Sequence, residues 1–293
     1  VTGVQTCALP ISQTNNSFDL RMPRILASML VGAALGMSGA LLQGMLRNSL
    51  ASPFILGISA GAGLVTVAMI VLELWTAWIP FAAWLGAIFT AITVIFLGRG
   101  QGGTRVENLI LGGVAVSSLL GALQCSLLLL AEVGRVQQAL NWLIGSLNGR
   151  GWNEVKVAAP YMLVALVAGC LLARWVNVLA LGDDLAVGLG VSLVRSRILI
   201  GAVATLLAAG AVSIAGLIGF VGLVVPHGVR LLVGTDYRLC LPLSALGGAW
   251  LLTFADLLSR LGAVELPVGA VTALLGSPLF IWLLYRGSGS MDS

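Results

Sequence analysis

Few residues in this chain have side chains able to do chemistry. Its 293 residues include 15 Lys and Arg, 11 Asp and Glu, and one His. Asp256 lies in the apolar run Leu251-Leu-Thr-Phe-Ala-Asp-Leu-Leu-Ser-Arg260. A carboxylate in such a run is expensive and so invites a functional reading. Arg260 follows four residues later on the same helix face, so the two read as a structural pair near a helix end. The single histidine, His227, sits in Val224-Val-Pro-His-Gly-Val-Arg230. Without a second His or a Cys/Asp cluster beside it there is no metal site. It reads instead as a hydrogen-bonded residue near a helix end, and neither metal nor cofactor is expected. Gly36-Met-Ser-Gly39 and a distant histidine are the bare inventory of an intramembrane serine protease. A serine nucleophile needs a base within reach. Ser38 falls mid-span and His227 near the cytoplasmic end of its own helix, so Ser38 reads as a packing residue. No Gly-Lys pair exists, so the chain has no phosphate loop of the Walker type.

These residues are set in a chain that is 59% hydrophobic and 9% charged. Soluble domains carry about 25% charged residues. A third of that density excludes a soluble enzyme, a disordered chain and a disulfide-stapled secreted domain. Glycine is in excess, 38 residues, as suits helices that approach closely in lipid. The fold class expected is all-α, a polytopic transmembrane bundle. The net charge of +4 does not indicate nucleic-acid binding, because the arginines are scattered and Lys156 is the only lysine. Cys125, Cys170 and Cys240 lie in or beside apolar runs without C-x-x-C spacing, and with Cys7 read as small packing residues rather than ligands or disulfides.

Charge-free windows occur at 25–46, 48–72, 74–98, 108–131, 157–173, 198–229, 239–255 and 266–285. A span needs about 20 apolar residues. The window 198–229 is too long for one, and its Gly-rich stretch Ala215–Gly222 divides it near 214 and 218, which makes nine spans. Asn48 to Pro53 reads as a loop that feeds a helix from about residue 58. The segment 134–153 is too short to span and reads as an interfacial or re-entrant helix. Alternation puts Arg47, Arg99, Arg105, Arg174, Arg195, Arg197, Arg230, Arg238 and Arg286 on one side, and Arg21, Arg24, Arg135, Arg150, Lys156 and Arg260 on the other. The basic excess assigns the first side to the cytoplasm.

One charged segment lies between spans: Leu181-Gly-Asp-Asp-Leu-Ala-Val-Gly-Leu-Gly-Val-Ser-Leu-Val-Arg-Ser-Arg197. Asp183 and Asp184 suit the positive end of a short helix. Gly188 and Gly190 would end it, and Arg195 and Arg197 would face the membrane surface. A loop resting on headgroups and a docking site for a partner both fit this pattern. The sparse buried acids and missing phosphate loop place any energy source in another subunit. An ion-coupled secondary carrier or a channel is the alternative.

The opening Val1-Thr-Gly-Val-Gln-Thr-Cys-Ala-Leu-Pro-Ile11 resembles a translated sequencing-library adapter and fails as a signal peptide. It is expected to be an artefactual leader over 1–12, ahead of a single permease domain over 13–286 and a short cytoplasmic tail over 287–293. The native chain is then expected to begin further upstream, with a first helix lost.

Five stretches in order resemble the FecCD family, the permeases of ATP-driven importers for iron-siderophores, haem and vitamin B12. They are Leu20-Arg-Met-Pro-Arg-Ile-Leu-Ala27 running on to Gln43; Arg47-Asn-Ser-Leu-Ala-Ser-Pro53 with Leu56-Gly-Ile-Ser-Ala-Gly-Ala-Gly63; Leu181 to Gly190; Gly219-Phe-Val-Gly-Leu-Val-Val-Pro-His227; and Ala255 to Arg260 with Glu265-Leu-Pro-Val-Gly269 and Gly276-Ser-Pro-Leu-Phe280. The resemblance implies a permease with ten spans per subunit, paired with a second permease subunit as a homo- or heterodimer. It also implies separate ABC ATPase subunits and a periplasmic or lipid-anchored substrate-binding protein, at the bacterial cytoplasmic membrane. By the same resemblance Arg21, Arg24 and Arg260 would meet acidic residues of the binding protein. Gly182, Asp183, Asp184, Leu185, Ala186, Gly188 and Gly190 would form the coupling helix that seats in the ATPase, within about 182–195. Pro226, His227, Arg230 and Asp256 would lie at a gate or serve structure. The cargo expected is an iron(III)-siderophore complex, moved along the dimer axis by alternating access.

Overall fold

The computed structural model describes residues 21–75, 78–100, 103–104, 106–261 and 265–288. The leader and Cys7 lie outside them. Twelve α-helices follow one another among the described residues: α1 (Met22–Leu46), α2 (Ile58–Val71), α3 (Ile79–Leu97), α4 (Val106–Leu129), α5 (Val133–Ile144), α6 (Trp152–Leu171), α7 (Ala173–Ala180), α8 (Asp183–Gly188), α9 (Leu193–Ala215), α10 (Val221–Val233), α11 (Tyr237–Ser259) and α12 (Val268–Ser288). A two-residue antiparallel bridge, Arg99–Gly100 with Gly103–Thr104, joins α3 to α4.

All eight apolar windows contain a helix, and the longest contains parts of two. Six of these helices (α1, α3, α4, α6, α9 and α11) are long and apolar enough to cross a membrane alone. The apolar stretches Ile58–Val71, Val221–Val233 and Val268–Pro278 are shorter. The chain breaks have local causes. After α1 it turns at Arg47 in the left-handed region (φ 50°), and the Asn48 carboxamide oxygen accepts from the Leu50 N–H at 2.9 Å. A 3-10 turn, Pro53–Leu56, then leads to α2 through Gly57 at φ 71°. The long window divides where foreseen, with Gly216 (φ 71°) and Phe220 (φ 66°) both left-handed. The α5 helix is the short segment read as interfacial. The α6 helix starts at Trp152, five residues before its apolar window, because the Glu154 carboxylate accepts from the Gly151 N–H at 2.9 Å and caps the first turn.

The core is built around α1, most of whose length is buried. It packs most extensively against α11, then against α9, α10 and α6. Small residues set these distances. A Cβ on Gly32 would overlap the Gly248 carbonyl, one on Gly36 the Ser244 carbonyl, and one on Gly39 the Gly222 carbonyl. Such small-residue contacts let helix backbones meet in lipid. The α4 helix is the opposite case. Leu111, Leu119 and Leu129 are exposed along it, and a Cβ on Gly121 would meet nothing within 4 Å.

The cysteines divide. Cys240 is buried as expected, but Cys125 and Cys170 are exposed and free. They lie on outward faces of α4 and α6 that the described residues leave exposed.

Overpacking a tight contact costs roughly 1–3 kcal/mol. Gly39→Leu is therefore expected to lower the thermal stability of the purified protein by at least that much, read by loss of a monodisperse peak on heating. Gly121→Ala is expected to leave it unchanged or slightly raised, since alanine favours helix by up to about 1 kcal/mol.

Candidate functional site

The few charges gather at the two ends of the bundle. At one end α1 begins beside the end of α11. Arg24 donates to Asp256 Oδ1 from Nη2 at 2.8 Å and from Nε at 3.1 Å, and also to Glu265. Arg260 pairs with the other oxygen of Asp256. The Asp256–Arg260 pair expected from spacing exists, and Arg24 makes it a cluster of two arginines and two carboxylates. The Asp256 side chain is 2% exposed and that of Arg24 11%. Burial of this kind is tolerable only when charges are matched. Of the three arginines singled out from the sequence, Arg24 is thus tied inside the protein. Arg21 is exposed, and Arg260 is partly so. On the same end Arg135 bonds the Val71 carbonyl at 2.7 Å and pairs with Glu73, which pins α5 to the end of α2.

At the other end Asp183 opens α8 and is held twice. Arg197 donates to its two oxygens at 2.8 and 2.9 Å, and Arg47 lies 3.5 Å away. The expectation for Arg197 is corrected here. Its side chain is 6% exposed and points at Asp183, not at the membrane surface. A guanidinium on the inner face of α9 finds its counter-charge there. Arg195 is exposed. The short helix is seated by Ala186, fully buried, while Leu185, Val187 and Leu189 are each about 60% exposed. Gly182 (φ 118°) and Gly190 (φ 78°) adopt backbone conformations that other residues rarely reach, so they bound the helix. Asp184 is exposed beside Asp183.

The third group lies between α1 and α10. Arg230 donates to Gln43 Oε1 at 2.6 Å. The Gln43 amide donates to the Gly222 and Leu223 carbonyls, each at 3.3 Å. Pro226 is buried inside α10. His227 is half-buried on the same helix, and it makes no hydrogen bond to a described residue, contrary to the helix-end role expected for it. Its neighbour Gly228 offers no side chain to bond. Asp256 belongs to the first cluster, not to this one. Ser38 is fully buried and donates to the Ala204 carbonyl at 2.7 Å, which fits a packing residue and leaves no proton relay. Beyond α10, Asp236 accepts from the Arg238 N–H at 2.9 Å and from Asn177 at 2.7 Å. These bonds hold its carboxyl below the usual range.

Sequence reasoning passed over Gln43, Arg47, Arg197 and Glu265 as site residues. Gln43 had a usable signal, as an amide in an otherwise apolar span. The roles of the other three depend on long-range contacts that spacing does not reveal.

A helical bundle with two charged ends and no catalytic constellation among the described residues matches known transport proteins over nearly its whole length. The chain is 45% identical to the cobalamin import system permease protein BtuC of Halobacterium salinarum, over 90% of this chain and 72% of that protein. It is 40% identical to the Fe(3+)-citrate import system permease protein YfmD of Bacillus subtilis, over 92% and 80%. A solved inward-facing structure of a metal-chelate type ABC transporter superposes with a TM-score of 0.88 at 30% identity, over 98% of this chain and 93% of that one. Fold and comparisons define a class: a multi-pass membrane permease subunit of an ABC transporter, whose ATP hydrolysis resides in separate subunits. The chain belongs to the FecCD transport family, whose model matches residues 5–286. That range takes in part of the opening stretch likened to an adapter.

Removing one partner of a buried ion pair costs about 3–5 kcal/mol. Asp256→Asn is expected to lower the melting temperature clearly, because it leaves Arg24 and Arg260 facing each other. Arg21→Gln, at an exposed position, is expected to leave melting unchanged. Equal melting of both variants would show that the cluster does not hold α1 to α11.

Proposed function

We propose that the chain is the membrane-crossing subunit of an ATP-driven importer for iron(III)-siderophore complexes or a similar chelate, in the bacterial cytoplasmic membrane. The observation that carries this reading is the α8 helix. It is anchored from within by Ala186 and by the Arg47–Asp183–Arg197 contacts, yet it turns Leu185, Val187 and Leu189 outward. A short helix that is rigidly seated and apolar on its free face suits a lever pressed by another protein. An ATPase subunit would grip it, and motion would pass through Asp183 to α1 and α9.

At the far end, exposed Arg21 and the partly exposed Arg260 offer positive charge to a delivering protein. Exposed charges of this kind govern encounter rate and orientation more than affinity. Arg24 acts behind them by holding the ends of α1 and α11 together. The Arg230–Gln43 contact ties α10 to α1 and is suited to a gate, with Pro226 and His227 beside it. The exposed face of α4 fits a second permease subunit, identical or related, with the cargo path between them. Relatives named for cobalamin and ferric citrate transport support a bulky chelate as cargo. Alternating access then needs no ion bound in the spans, unlike the ion-coupled carrier.

Two outcomes test this reading in proteoliposomes that contain the ATPase and binding protein. Leu185→Asp, on the free face of α8, is expected to leave ATP hydrolysis running while chelate uptake falls about tenfold or more. Ala186→Leu, which unseats the helix, is expected to do the same. Full coupling in both would remove α8 from the lever role. Arg21→Glu is expected to slow association with the binding protein at low salt, an effect that fades as salt screens it. A rate that does not change at any ionic strength would take Arg21 out of the interface.

A further inference from the structure

A cavity of about 590 Å³ opens at the Arg24 end between α5, the loop that follows it and the start of α12. This volume lies in the range of small-molecule sites. Its polar lining includes Gln138, Asn141, Ser146, Asn148, Arg150 and Glu265.

The loop over residues 145–151 is held rigidly. Leu147 is fully buried. The Ser146 N–H donates to the Ala215 carbonyl at 2.8 Å, and the Gly145 carbonyl accepts from the Gly269 N–H at 3.1 Å. Positive φ at Gly145 and Gly149 sets its turns. The polar groups are therefore placed before any ligand arrives, which lowers the ordering cost of binding.

Their hydrogen-bond state points one way. The Asn141 carboxamide oxygen already accepts from Gln137 at 3.3 Å, so its NH2 remains to donate. The Ser146 hydroxyl oxygen accepts from the Asn148 N–H at 3.1 Å, so its proton remains to donate. Arg150 makes no hydrogen bond or ion pair to a described residue, and its Nε is buried without a partner. The nearby Glu154 carboxylate is engaged by the Gly151 N–H. Glu265, the one carboxylate of the lining, is matched by Arg24. Burial pushes the Arg150 guanidinium below its usual range. The Glu154 carboxylate opposes that shift only in part, so burial of the cation stays costly, and a bound anion reduces that cost.

We infer that this cavity is a subsite for the anionic oxygens of a small acid, with Arg150 as the charge partner and Asn141 and Ser146 as donors. On the transport reading above, on which the identity of the occupant rests, it would receive the carboxylate-bearing part of a chelate at the outer mouth. An anionic lipid headgroup shares the chemistry, so the experiment separates the two sources. Citrate is the probe, titrated against the purified chain in nanodiscs of zwitterionic lipid, with tryptophan fluorescence as readout. Trp142 lines the cavity, and Trp142→Phe identifies its share of the signal.

Saturable binding is expected for the native chain. Arg150→Gln should weaken it roughly ten- to a hundredfold, the size of a lost charged hydrogen bond. Arg150→Lys should recover part of it, and both variants should melt as the native chain does. Binding should be the same in nanodiscs with added anionic lipid. No citrate binding, or equal binding in Arg150→Gln, would overturn the subsite. Loss of citrate binding when anionic lipid is added would overturn it in favour of a headgroup. The measurement uses neither ATPase nor binding protein. Its failure therefore leaves the permease reading intact, and coupled transport can fail while citrate still binds.

Discussion

The structure rests on the backbone approach of α1 to its neighbours. Inside a membrane lipid is as apolar as leucine, so no hydrophobic force drives helices together. Contact must come from fit. Gly32, Gly36 and Gly39 remove side chains along one helix, and Gly248, Ser244 and Gly222 present their carbonyls across the gap. The close approach brings Arg24 to Asp256 at one end and Gln43 to Arg230 at the other. A helix pushed outward by one large side chain would break all of these contacts at once.

Ion pairs among the described residues gather at the ends, where they join elements distant in the chain. The Arg24, Asp256, Arg260 and Glu265 cluster links α1, α11 and the start of α12 with matched charge. The Arg47, Asp183 and Arg197 group joins the end of α1, α8 and α9 through two arginines on one carboxylate. Where such a charge is buried, as at Asp256, it is costly without its partner. A permease moved by other subunits requires rigid ends that transmit force. The α8 helix, seated by Ala186 and free on its apolar side, has that property.

Much of this was legible in the sequence. The apolar windows placed every long helix, because a span needs about 20 apolar residues and so few charges interrupt them. The break in the longest window was marked by Gly216 and its neighbours, which accept left-handed backbone. The Asp256–Arg260 pair followed from helical periodicity. Arg197 was misplaced because spacing along one helix tells which face a residue shares, not which partner stands opposite. Arg24 was foreseen as external but not as internally paired, because Asp256 lies 232 residues away.

The sequence by itself determined that the protein is a helical membrane bundle of the FecCD type, where its helices lie, and that its few charges are worth locating. Hydropathy and small-residue content are properties of local chain, so they survive without coordinates. Only the tertiary structure decided which arginines are tied and which are open, how α8 is seated, and that Arg150 faces a cavity of donors. Those depend on the packing of helices far apart in sequence. Charge pairing across such distances is set by helix approach, which glycine permits but whose direction it does not encode.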